Sequence, residues 1–213
     1  MRIVQISGKG RVGKTTLANL IAKYSFNLGY IPVILPFAQA IKDTAAAQGI
    51  TKESDSTKYR EFCQELGASK RKEDEDYWVT KTFDAIQQYM IKEINNKNEN
   101  KTHWEYVIIQ DDVRYMNELA LGRDLVALQV FIDSSGRKLE EDSAEWRNHE
   151  SEILANKVED SLGNINSEYE DLFDIILDNG LSLHDLETEV KISLADWLEI
   201  GYLELEEYHE ETE

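Results

Sequence analysis

The sequence predicts an α/β fold in three layers, a parallel sheet flanked by helices, and three observations carry that expectation. Short apolar runs rich in β-branched residues, at 106–110, 125–132 and 173–177, alternate with stretches of helical spacing. The run Tyr106-Val107-Ile108-Ile109-Gln110 has no polar alternate face, the mark of a strand buried on both sides. Between the first strand-like run and the first helical stretch stands a glycine-rich string, Gly8-Lys9-Gly10-Arg11-Val12-Gly13-Lys14-Thr15.

The elements follow in order. Arg2 to Ile6 reads as a strand, and Leu17, Leu20, Ile21, Tyr24 and Leu28 mark one face of a helix closed by Gly29. Ile31 to Leu35 reads as a short strand with Pro32 near its start, where an edge tolerates it. A helix is expected over Phe37–Gln48, and a short one over Tyr59–Leu66, ended by Gly67. The charged run from Lys70 to Asp76 reads as a solvated loop. Next comes a long helix with a buried stripe of Val79, Phe83, Ile86, Met90 and Ile94, then an exposed turn over 95–101. The strand at 106–110 ends at Asp111-Asp112, and the polar insertion at 133–148 has the length of a lid. The strand at 173–177 ends at Asn179-Gly180, and a helix over 182–200 closes a single domain, 1–200. The tail, 201–213, is acidic.

The glycine string fits G-x-x-x-x-G-K-[ST], the phosphate-binding loop of P-loop nucleotide-binding folds. Gly8, Gly10 and Gly13 let backbone N–H groups turn inward around a phosphate, and the helix N-terminus beginning at Lys14, Thr15 and Thr16 attracts anions. Lys14 reaches β and γ oxygens, and the Thr15 hydroxyl can hold Mg²⁺. The implied ligand is a nucleoside triphosphate, ATP, with Mg²⁺. The net charge of -19, from 23 basic and 42 acidic residues, argues against a nucleic-acid or anionic membrane partner. One cysteine, Cys63, allows no internal disulfide and points to a reducing cytoplasm. No apolar run approaches the ~20 residues of a membrane span.

Asp112, just past a buried strand, is the candidate acid for the metal, with Asp111 competing for the role. Arg114, two residues on, can clamp a phosphate bidentately, or pair with Glu118 at the surface. Arg60 and Gln64 share a helix face at i, i+4, which would suit a phosphate and a base edge. In the insertion, Arg137 and Arg147 are candidates for delivering positive charge to a transferring group. Residues 149–152, His-Glu-Ser-Glu, read as a helix start with acids in its first turn.

Together these strings resemble the bacteriophage deoxynucleoside monophosphate kinases. The resemblance runs from Arg2 to about Val190 and rests on GKGRVGKTT at 8–16, FAQAIKD at 37–43, REFCQELG at 60–67, YWV at 77–79, DDVRYMNE at 111–118, HESE at 149–152 and ILDNGLSLHDL at 176–186. It implies transfer of the ATP γ-phosphate to a deoxynucleoside monophosphate on a P-loop kinase fold. It also implies a monophosphate-binding helical region, about 37–100, and a lid at about 133–148. In that frame Arg60, Gln64 and Arg114 fall where acceptor-binding residues belong, Lys14, Arg114 and Arg137 take catalytic roles, and Asn179 joins the nucleotide site. Partners are small nucleotides, with a homodimer left open. The doubled acid at 111–112 departs from the family's single one. Three alternatives remain: a dephospho-coenzyme A kinase, a non-catalytic nucleotide-binding module, and a partitioning ATPase. The last wants a proline after its metal-binding strand, and none follows Pro36.

Overall fold

The computed structural model describes residues 1–98, 105–134, 152–162, 169–178, 180 and 182–197. The first strand, β1 (Arg2–Gly8), is buried from Ile3 to Ser7 and feeds the glycine loop, from which α1 (Lys14–Asn27) departs. Then come β2 (Ile31–Ile34), α2 (Gln39–Ala47), α3 (Ser56–Glu73) and α4 (Tyr77–Asn98). The chain re-enters the sheet as β3 (Tyr106–Val113), leaves as α5 (Met116–Asp124) and returns as β4 (Leu128–Asp133). The remaining elements are α6 (Ile153–Ser161), a 3-10 turn (Glu170–Leu172), β5 (Ile175–Asp178) and α7 (Leu183–Trp197).

All five strands are parallel, in the order β2-β3-β1-β4-β5. The central position of β1 fits its burial on both faces, with Val4 and Ile6 on one and Ile3 beside the buried Gln5 and Ser7 on the other. On one face Val4 and Ile6 pack with Val107, Ile109 and Val130 under Leu17 and Ile21 of α1 and Val190 of α7. The alternate residues Ile3 and Ile108 meet Ile86 of α4, while Phe131 meets Leu119 of α5 and Leu154 and Val158 of α6. This is the expected three-layer α/β architecture. Among the described residues, no helix is long and apolar enough to cross a membrane.

Beneath α5 the sheet carries a polar row. Gln110, Gln5 and Gln129 are register partners on β3, β1 and β4. The Gln5 amide nitrogen donates to Gln110 Oε1 at 2.7 Å and to the Glu118 carbonyl at 3.0 Å. The helix can lie this close because residue 122 is glycine: a Cβ there would collide with the Gln5 amide and lie 2.5 Å from Gln129 Nε2.

Several expected boundaries move. Helix α3 does not stop at Gly67 but runs to Glu73, absorbing part of the charged run read as a loop. Asp55 caps its start by accepting from the amides of Thr57 and Lys58, and Lys70, Arg71 and Lys72 complement the dipole at its end. Gly67 serves packing instead, its carbonyl accepting from Trp78 Nε1 at 3.1 Å. In α4 the stripe turns over near its end: Ile94 is 56% exposed, while Glu93 is buried and accepts from the Tyr106 amide. The helix itself continues through Asn98, into the segment expected as a turn. Strand β3 continues through both aspartates to Val113, and β4 starts only at Leu128, after a turn with Val126 at φ 55°. Phe173 lies outside β5, its ring 5.1 Å from that of Phe131. Arg137, Arg147, His149, Asn179, nearly all of the 133–148 insertion and the 201–213 tail lie outside the described residues.

Gly122→Ala should destabilise the protein by about 1–3 kcal/mol through overpacking. Urea denaturation measures this, and an unchanged midpoint would show that the glutamine row has slack.

Candidate functional site

The site begins where β1 ends. Gly8 (φ 140°) and Gly13 (φ 107°) take backbone conformations that disfavour a side chain, and a Cβ at Gly8 would lie 2.8 Å from the Ile132 carbonyl. The loop is thereby pressed against β4. Helix α1 starts at Lys14 without a side-chain cap, its first internal bond running from the Leu17 amide to the Gly13 carbonyl. Its leading N–H groups are therefore left for an anion. Lys14 is buried and folds back, donating to the carbonyls of Gly8 and Lys9, both at 2.6 Å. Burial, seconded by the nearby Arg114 charge, lowers its pKa to about 7, against the opposing pull of Glu152, Asp112 and Asp111.

The two aspartates divide. Thr15 Oγ1 donates to Asp111 Oδ2 at 2.9 Å. Asp112 instead accepts from the amides of Phe37 (2.7 Å) and Ala38 (3.0 Å), fixing the approach to α2. Desolvation pushes the Asp112 carboxyl up, opposed by Lys42 and those amides. Both Asp112 oxygens are thus engaged by backbone, and the carboxylate beside the loop hydroxyl is Asp111. Hydroxyl and carboxylate oxygens form a hard donor set that suits Mg²⁺, which needs few protein ligands when phosphates supply others. Among the described residues there is no cluster of three or more His, Cys, Asp or Glu side chains fit to hold a metal by itself.

Two glutamates of α6 reach the loop. Glu152, buried at the N-cap, accepts from the Gly10 amide through Oε2 at 2.9 Å, and its Oε1 meets Arg114 Nη1. Seven residues on, on the same helix face, Glu159 pairs with Lys9 at 2.5 Å and accepts from Ser134 Oγ at 2.6 Å. A carboxylate oxygen therefore already accepts from one loop amide, that of Gly10, a donor that a phosphate oxygen could also use.

Arg114 is held at the root of α5. Its amide and that of Tyr115 donate to the buried Glu118 Oε2, at 2.8 and 3.2 Å. Arg71 of α3 stacks its guanidinium 3.9 Å from the Tyr115 ring centroid and lies 3.7 Å from Glu118. Burial, with Asp112 adding repulsion, pushes Glu118 up to about 7. The expected Arg114–Glu118 surface pair is thus a buried backbone cap, and the Arg114 guanidinium turns to Glu152. Arg60 and Gln64 are exposed on α3, and their side chains make no hydrogen bond or ion pair with any described residue. Arg71 continues their face at i+11, about 16 Å farther along the helix. It hid inside a charge run, and the partners of Glu152 lie too far away in sequence for any local signal. Cys63 is half-buried, and burial pushes its thiol up, which disfavours a reactive thiolate. Beside Arg114, where α5 meets α6, a cavity of about 450 Å³ opens.

No family model matches the chain, and no curated protein matches it. Sheet order, glycine loop and departing helix together define a three-layer P-loop α/β protein. Among solved structures, a shikimate kinase from Bacteroides thetaiotaomicron is similar at 12% identity, over 93% of this chain and 99% of that one, with a TM-score of 0.42. No residue role passes between the two chains at that level.

Glu118 gives the protein a distinctive acid–base signature. An unfolded Glu ionises near 4.5, whereas this one holds its proton up to about 7. The folded state therefore binds the extra proton between these values, so stability falls as pH rises through the window. Below pH 4.5 the contribution is fully present. Glu118→Gln should remove this part of the slope, on the order of 3 kcal/mol across the window. Urea unfolding of both proteins across that range measures it, and parallel pH profiles would refute it.

Proposed function

We propose that this protein transfers the γ-phosphate of ATP to a deoxynucleoside monophosphate, with Lys14 and Arg114 as the charge-neutralising groups. The observation that carries the reading is the convergence of a phosphate loop, the Thr15–Asp111 pair and the Arg114 guanidinium at one end of the sheet. The motif resemblance to phage deoxynucleoside monophosphate kinases supplies the acceptor class.

Loop amides and the start of α1 bind the triphosphate, and Lys14 exchanges its carbonyl partners for β and γ oxygens. Mg²⁺, when bound, contributes positive charge at those oxygens, and Thr15 and Asp111 are the residues that would hold it. Arg114 orients the acceptor phosphate for in-line attack. An acceptor oxygen forms the new bond to the γ phosphorus as the bond to the β-bridging oxygen breaks, leaving ADP. The attacking monoester is already anionic near neutral pH, so no general base is needed. The 133–148 insertion, with Arg137, is assigned to lid closure, and Asn179 to the nucleotide site.

The test is an ATP/Mg²⁺ assay against all deoxy- and ribonucleoside monophosphates, with dephospho-coenzyme A included. Turnover is expected with at least one deoxynucleoside monophosphate, and Lys14→Ala should lower it by about a thousandfold or more, a loss of ~4 kcal/mol in transition-state stabilisation, with the fold kept. Near-normal turnover in that variant, or turnover only with dephospho-coenzyme A, would sink the assignment.

The metal role is tested separately. Asp111→Asn should raise the Mg²⁺ concentration for half-maximal rate by about 10–100-fold. Asp112→Asn should instead lower the melting temperature and leave that requirement in place. The reverse pattern would return the metal to Asp112.

A further inference from the structure

We propose that the cavity between α5 and α6 is the acceptor pocket, and that it takes a flat base with a short deoxy sugar and one phosphate. This rests on the kinase reading and relocates its acceptor site away from the Arg60/Gln64 segment of α3. At about 450 Å³ the cavity has the size of a small-molecule site. Its position relative to the loop is fixed by one side chain. Arg114 lines the cavity, and its guanidinium shares the Glu152 carboxylate with the Gly10 amide. A single carboxylate thus bridges a cavity-lining residue and a loop amide, so the cavity adjoins the phosphate loop, as direct transfer between two bound phosphates requires.

The lining selects the ligand. Arg114 and Lys157 supply positive charge for a phosphate, while the rings of Tyr115 and Tyr169 supply aromatic surface for a base. Met116 and Ile153, exposed at 50% and 47%, add apolar surface at the rim. Base stacking on aromatic rings contributes ~1–3 kcal/mol per base and tolerates different bases. A polyhydroxylated acceptor would need a polar partner for each hydroxyl, and this wall offers few. Arg71, stacked on Tyr115, steadies that ring from the α3 side. By contrast, Arg60 stands about 16 Å back along α3 from Arg71.

The experiment fills the cavity from its rim. Ile153→Trp and Met116→Trp, made separately in the full chain and checked by thermal melting, should each raise the KM for the accepted deoxynucleoside monophosphate at least tenfold. The KM for ATP should stay within twofold. Calorimetric titration with the four deoxynucleoside monophosphates, without ATP, reads binding independently of turnover. Binding to the wild type that is lost in a folded tryptophan variant supports the pocket, even where no acceptor turns over and the kinase reading falls. Turnover with an acceptor KM unchanged in whichever tryptophan variant folds overturns the pocket and leaves the kinase reading standing. So does an acceptor KM raised only by Arg60→Ala with Gln64→Ala. A wild type that neither binds nor phosphorylates any of the four overturns both.

Discussion

Every part of the site depends on the parallel pairing of β1 with β3 on one side and β4 on the other. Parallel strands bring their carboxyl ends to one edge, and a central strand places its exit between two neighbours. Gly8 leaves β1 against the Ile132 carbonyl of β4, while β3 delivers Asp111, Asp112 and Arg114 within reach of the same loop. The chain leaving β4 comes back as α6, carrying Glu152 and Glu159 to the loop's outer side. Had β3 and β4 both lain on one side of β1, the loop would face carboxylates from only one flank.

Such convergence crowds charges, and the structure resolves the crowding with backbone dipoles. Lys14 is held by two carbonyls, Asp112 by two amides and Glu118 by two amides. Glu152 takes one amide and one guanidinium. The amides that hold Asp112 and Glu118 are fixed by strand and helix, so these two carboxyls stay in place without reorganising when a ligand's charge arrives. The raised pKa of Glu118 and the lowered one of Lys14 show the remaining desolvation cost. Both lie close to neutrality, where small changes of surroundings decide the charge state.

What the sequence showed and what it hid follow the range of the interactions. The glycine loop, β1 and α1 were legible because a local string and local periodicity specify them. The strand at 106–110 was legible as a buried apolar run, but its continuation through Asp111 and Asp112 was not, since two adjacent acids resemble a strand end. Which aspartate meets Thr15 depends on the β3–β1 register, which shifts between Gln5 and Ser7. That shift arises from pairing, and no one-dimensional pattern reveals it. Within α3 alone Gly67 has the look of a terminator; the Trp78 contact that uses it comes from α4. Arg71 shares a helix face with Arg60 and Gln64, but it is Arg71, at the far end of that face and inside a charge run, that meets Tyr115 and Glu118 beside Arg114.

The Glu152 contact also constrains how the loop can change. A phosphate on the Gly10 amide needs the donor that Glu152 now takes, and the two anions repel. Arg114 can retain either one, but the amide cannot serve both fully. Helix α6 is not free to carry Glu152 away as a body, because Leu154, Ala155 and Val158 are buried against Phe131 and Leu119. Glu159 further tethers the same helix face to Lys9 and Ser134. The exchange is thereby confined to the Glu152 side chain and the loop residue it holds. A rotation about the side-chain bonds of Glu152 would clear the Gly10 amide while leaving the core contacts intact. The loop amide and the cavity-lining Arg114 are thereby linked, because a single carboxylate meets both.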